Sequence, residues 1–99
     1  MQLGTVKYTA EQLQNIFNTP AGGNGLISLA HQLIAAKLNV ANGADATAVA
    51  ASIAAADALI GGLVVPPVGG GNLAPKKTGA LTTALANYNE GITGPGYCE

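Results

Sequence analysis

A small, mainly α-helical domain is expected from three features of this chain. Four stretches carry apolar residues at the spacing of a buried helix stripe. Gly, Pro and Asn cluster between those stretches. Alanine, the best helix former, fills the middle of the sequence. At 99 residues the chain has the length of one domain, so a single helical unit over 1–99 is expected, with a short extended segment at 1–8 and a tail at 92–99.

Leu3, Val6 and Tyr8 alternate weakly around Gly4, the pattern of a short strand or turn. Thr9-Ala10-Glu11-Gln12 reads as a capping box: Thr9 caps the first helix and Gln12 reaches back to its backbone N–H. That helix runs to about Asn18, with Leu13, Ile16 and Phe17 on one side, and Pro20 with Gly22-Gly23-Asn24-Gly25 stops it. The second helix is the clearest. Leu26, Ala30, Leu33, Ile34, Leu38 and Ala41 keep the 3.6 period, and Asn42-Gly43 supplies the stop.

Asp45 is the expected N-cap of a third, Ala-rich helix with the stripe Val49, Ile53, Ala56 and Ile60, ended by Gly61-Gly62. The two-residue link Gly43-Ala44 makes the second and third helices a central antiparallel hairpin. Ala50, Ile53, Ala54 and Ala56 should then lie against Ala30, Leu33, Ile34 and Leu38. The segment from Leu63 to Lys77 is rich in Pro and Gly, yet it carries Leu63, Val64, Val65 and Val68. Linkers rarely hold four large aliphatics, so this loop should lie across the hairpin with Val64, Val65 and Val68 mainly buried. Thr78 is expected to cap a fourth helix with Leu81, Leu85 and Tyr88 inward and Gly91 closing it.

Composition excludes several functions. Only 9% of residues are charged, against about 25% in an ordinary soluble domain. Lys7, Lys37, Lys76 and Lys77 face Glu11, Asp45, Asp57, Glu90 and Glu99, and there is no Arg. Four scattered lysines cannot neutralise a row of phosphates, and Tyr8, Phe17, Tyr88 and Tyr97 are too few to stack bases, so no nucleic-acid partner is expected. Ala46 to Val68 is the most apolar stretch, but Asp57, Gly61, Gly62, Pro66 and Pro67 interrupt it, so no membrane span is expected. Met1-Gln2-Leu3-Gly4 has neither the basic nor the apolar part of a secretory leader. A surface kept wet by Asn, Gln, Thr and Gly is more familiar outside the cell than inside.

The chemical inventory is short. His31 stands three residues after Ser28, a spacing that puts both on one helix face, and Asp57 is a conceivable third member of a hydrolytic relay. Ser28 has no Gly-x-Ser-x-Gly elbow, so a histidine hydrogen-bonding at the helix hairpin is the expected role of His31. Cys98 is the only cysteine; it is a spare thiol, half of a disulfide with another chain or, paired with His31, a second form of the hydrolase reading. Asp57 is otherwise a solvated or capping carboxylate. No Cys-x-x-Cys or His-Glu-x-x-His spacing offers a metal site, and Gly69-Gly70-Gly71 lacks the Lys-Ser/Thr end of a phosphate loop, so neither metal nor cofactor is expected.

Several stretches together resemble a family of bacterial secreted or surface domains. They are Asn18-Thr19-Pro20, Leu29-Ala30-His31-Gln32-Leu33-Ile34-Ala35-Ala36-Lys37-Leu38-Asn39, Ala55-Ala56-Asp57 and the ending Gly94-Pro95-Gly96-Tyr97-Cys98. Members of that family carry an upstream Cys and a Thr-Pro-Gly-Tyr-Trp-Lys-Asn-His-type motif, both missing here, and often end in Gly-Pro-Gly-His-Cys, where this chain has Tyr97. The chain therefore resembles the C-terminal part of such a module. The resemblance implies an extracellular or cell-surface setting and, in longer relatives, a disulfide partner for Cys98.

These readings lead to the expectation of an extracellular structural, adhesive or assembly module without catalysis, its partners a second copy or neighbouring domains of a longer surface protein. The alternative is a small hydrolase using Ser28, His31 and Asp57, or Cys98 with His31. In oxidising buffer the Cys98 thiol should give a disulfide-linked dimer that reductant and Cys98→Ser both abolish. Purified protein should turn over no ester, lactone or amide substrate; turnover that His31→Ala or Cys98→Ser removes from a folded variant would establish the hydrolase.

Overall fold

The computed structural model describes residues 1–43, 47 and 49–93, with side chains described up to Glu90. A two-stranded antiparallel hairpin, β1 (Gln2–Leu3) and β2 (Val6–Lys7), precedes four helices. These are α1 (Ala10–Phe17), α2 (Gly25–Ala41), α3 (Ala50–Ile60) and α4 (Pro75–Thr93). The domain is mainly α, and α2 is its axis. Its apolar residues are not confined to one stripe: Leu26, Ile27, Leu29, Ala30, Leu33, Ile34 and Ala36 are all buried, as in a helix covered on several sides.

The capping box forms as the sequence implies. Thr9 Oγ1 accepts from the Gln12 N–H at 3.2 Å, and Gln12 Oε1 accepts from the Thr9 N–H at 2.8 Å. The extended start becomes the hairpin, with Gln2 opposite Lys7 and Leu3 opposite Val6, so Gly4 and Thr5 make the turn. Gly4 has φ +63°, and a Cβ there would collide with the Gly61 carbonyl. Glycine is needed for both reasons, since the turn packs directly on the end of α3.

Helix α3 folds back on α2, bringing Asp57 to Lys37 near the end of α2. Its described start is Ala50, with Val49 at the cap position making no side-chain bond; Asp45, the expected cap, lies outside the described residues. Val49 is buried instead, so an apolar anchor leads into the helix. Ala56 and Ile60 are buried and Ile53 is half-buried, whereas Ala50 and Ala54 are exposed, contrary to expectation. Only one edge of α3 faces the core, because α4 covers more of α2 than α3 does.

Helices α2 and α4 run in the same direction. Their starts meet where the Gly25 N–H donates to the Leu73 carbonyl at 2.7 Å, and a Cβ on Gly25 would strike Thr78 Oγ1 and the Pro75 backbone. Further along, Asn89 of α4 bonds Gln32 and Asn39 of α2. Leu85 is buried, with Leu81 and Tyr88 packed beside it, as the periodicity requires. Two expected boundaries differ. The helix opens at Pro75, whose fixed φ suits the first helical position, and Thr78 is a buried first-turn residue whose hydroxyl donates to the Pro75 carbonyl. Gly91 does not close it, because a lone glycine costs only about 1 kcal/mol within a helix, and α4 continues to Thr93.

The Pro- and Gly-rich loop packs on the core through Val65, which is buried, and through half-buried Leu63, Val64 and Leu73. Val68 is exposed instead, at the outer bend after Pro66-Pro67. Irregular backbone can be buried here because its polar groups have partners. The Val65 N–H donates to the buried Tyr8 hydroxyl at 2.9 Å, and the Gly71 N–H to the Val64 carbonyl at 2.7 Å. Leu33→Ala should cost about 2–5 kcal/mol in chemical denaturation and Ile53→Ala clearly less. Equal losses at the two positions would show that α3 is buried as deeply as α2.

Candidate functional site

The three residues of the hydrolase alternative do not assemble. His31 Nε2 lies 2.7 Å from the Ile16 carbonyl, at the C-terminal end of α1. A carbonyl only accepts, so Nε2 carries the proton in this contact. The imidazole also packs on Phe17, with ring centroids 5.7 Å apart and planes 30° from one another. No hydrogen bond joins Ser28 to His31, and Asp57 is engaged elsewhere. His31 thus bonds across to α1 rather than at the expected helix hairpin. Cys98, the other half of the second hydrolase reading, lies outside the described residues.

Asp57 acts as the capping carboxylate of the N-terminal hairpin. Its Oδ1 accepts from the Gly4 N–H at 2.9 Å and from Lys37 Nζ at 3.0 Å, and the same ammonium donates to the Gln2 carbonyl at 2.6 Å. Thr5 adds its N–H and hydroxyl to the Gly61 carbonyl. The Lys37 and Asp57 side chains are 20% and 29% exposed, so their Coulombic attraction is partly screened. What matters more is that Asp57 satisfies a backbone donor of the turn.

A groove of about 430 Å³ lies between α1 and α2. Its walls are Ala10, Leu13 and Phe17 from α1 and Ile34 and Leu38 from α2, with Gln14 and Asn18 the polar members of its lining. Phe17 is 41% exposed and Leu38 43%. Both were expected on packed stripes, but α1 is two turns long and cannot cover both edges of the helix it lies on. The contact between His31 and Phe17 braces one wall of this groove.

Two polar clusters escaped the sequence reading. Asn24, within the run that stops α1, is the N-cap of α2. Its Oδ1 accepts from the Leu26 N–H at 3.0 Å and the Leu73 N–H at 3.2 Å, while its Nδ2 donates to the Gly71 carbonyl at 3.0 Å. An Asn immediately before an apolar-periodic run is itself a start signal that would have found it. The second cluster joins α2 to α4. Asn89, almost wholly buried, donates to the Gln32 carbonyl and Oε1 and accepts from Asn39 Nδ2 at 3.0 Å. Among the described residues no three His, Cys, Asp or Glu side chains stand together as a metal site, and no helix is long and apolar enough to cross a membrane.

Asp57→Ala should cost about 1–3 kcal/mol in urea denaturation, because it leaves the Gly4 N–H without its partner. Ser28→Ala should change stability by less than about 0.5 kcal/mol. The reverse order would mean that the serine hydroxyl, not the aspartate, ties elements together.

Compared with known proteins, the chain matches no family model, no curated protein and no solved structure.

Proposed function

We infer that this domain is a non-catalytic assembly module of an extracellular or cell-surface protein, and that it joins a second copy of itself through the groove between α1 and α2. The observation that carries this reading is the pair of exposed apolar side chains, Phe17 and Leu38, on opposite helices of one concave apolar surface. Such a surface is desolvated by a partner at a gain of roughly 25 cal/mol per Å² of apolar area. The charge pattern favours a like partner. A net charge of −1 with 9% charged residues gives two copies almost no mutual repulsion. The low charge and the resemblance to secreted bacterial domains support the extracellular setting.

Sedimentation in reductant tests this without interference from thiol chemistry. The wild-type protein should associate in a concentration-dependent way, and Phe17→Ser and Leu38→Ser should each shift it toward monomer by about tenfold or more in dissociation constant, as expected when an interface anchor is lost. Ala54→Ser, on the exposed face of α3, should leave association unchanged. A wild-type protein that stays monomeric throughout would end this reading, as would equal association by all three variants.

A further inference from the structure

We propose that Asn42-Gly43, at the exposed C-terminal end of α2, is a site of spontaneous deamidation, and that the fold holds the chain's other Asn-Gly step, Asn24-Gly25, inert. The reaction needs an asparagine side chain free to turn toward the next backbone nitrogen and a follower without a Cβ to block the approach. Both steps satisfy the second condition by sequence. They differ in the first.

The chemistry uses this chain's atoms and water only. The Gly43 backbone nitrogen loses its proton and attacks Cγ of Asn42. The new N–Cγ bond closes a five-membered imide; the Cγ–Nδ2 bond breaks, and the nitrogen departs as ammonia with a proton. Water then adds to one of the two imide carbonyls. Opening on one side gives aspartate at position 42, and opening on the other gives isoaspartate, in which the main chain runs through the former side chain. No oxidation state changes.

At Asn42 the fold leaves this path open. Asn42 and Gly43 are exposed, and among the described residues nothing hydrogen-bonds the Asn42 side chain. The space that a Cβ on Gly43 would occupy is empty to 4 Å. The Gly43 N–H does donate to the Val40 carbonyl at 3.0 Å, but that bond is the last one of an exposed helix end, where local opening is easiest. At Asn24 the side chain is not free to turn. Three hydrogen bonds hold the carboxamide at both its oxygen and its nitrogen. Gly25 is buried, and its N–H donates to the Leu73 carbonyl across the junction of α2 and α4. Turning the Asn24 side chain toward Gly25 would require undoing that junction.

The product bears on the fold. A carboxylate at position 42 stands at the C-terminal end of α2, where unpaired carbonyls already concentrate negative charge. Isoaspartate also lengthens the main chain by one methylene at the exit of the domain's central helix.

The test is peptide mapping by mass spectrometry on the folded protein, held at mildly alkaline pH and physiological temperature, with a parallel sample in strong denaturant. The readout is the gain in mass when an amide NH₂ becomes OH, together with a chromatographic split into aspartate and isoaspartate. In the folded protein, position 42 should convert at least about tenfold faster than position 24, because reaction at Asn24 waits on a far rarer opening. In denaturant the two rates should converge. Asn42→Gln, which removes the five-membered ring closure, should abolish the fast conversion. Equal rates at the two positions in the folded protein would overturn the proposal. So would a position 42 that is silent when folded and reactive when unfolded.

Discussion

An apolar helix that cannot be left facing water organises this molecule. Eight of the seventeen residues of α2 are buried, from Gly25 at its start to Ala36 in its last third. A helix with one apolar stripe needs one neighbour; a helix apolar over most of its circumference needs several. Each remaining element meets part of that demand. The short helix α1 covers one flank, α3 folds back on another, and α4 lies along a third. The hairpin reaches α2 through Lys37, and the loop before α4 reaches it through the Leu73 carbonyl, which accepts from the Gly25 N–H.

Burial of this kind is not directional, so it does not decide how the covering elements are aligned. Polar contacts do. Asn24 ties the start of α2 to the segment entering α4, and Asn89 with Gln32 and Asn39 fixes the other end of the same pair. A shift of α4 by one turn would leave the buried Asn89 amide without its partners, a cost of about 1–3 kcal/mol. Asp57 does the same for the hairpin by accepting from the Gly4 N–H. The covering helices thus owe their attachment to apolar area and their alignment to a few amides and one carboxylate.

That division explains what the sequence made legible. Helix number, the capping box at Thr9 and most inward residues of α2 and α4 follow from local periodicity and capping chemistry, but Leu38 and Ala41 at the end of the α2 stripe are exposed. The direction of α4 was not readable, because it depends on bonds between residues far apart in the chain. The groove was half-readable. Leu13, Phe17, Ile34 and Leu38 were recognised as apolar positions, but a stripe states which side chains seek cover, not whether enough chain exists to cover them. Two turns of α1 leave Phe17 and Leu38 in solvent. Ser28 and His31 illustrate the opposite error. Residues three apart on a helix share a face, yet the partner of His31 came from another helix, the Ile16 carbonyl. Val68 stayed outside for a related reason, since an outer bend needs some residue at its apex.

The bonds that align the structure have one more property in common. Gly4 with Asp57 is separated by 53 positions, Asn24 with Leu73 by 49, and Tyr8 with Val65 and Gln32 with Asn89 by 57 each. Each spans about half the chain. A helical protein usually closes through neighbours and assembles quickly; here the first half is matched to the second, hairpin to α3 and α2 to α4. Each half also closes polar contacts of its own, such as Thr9 with Gln12 and Thr78 with Pro75, but the bonds that align hairpin, α2 and α4 cross between the halves. Closing these long loops adds an entropy cost to folding that a bundle held only by neighbouring helices does not carry. Division of the chain near its middle would give two fragments that find their structure only in each other's presence.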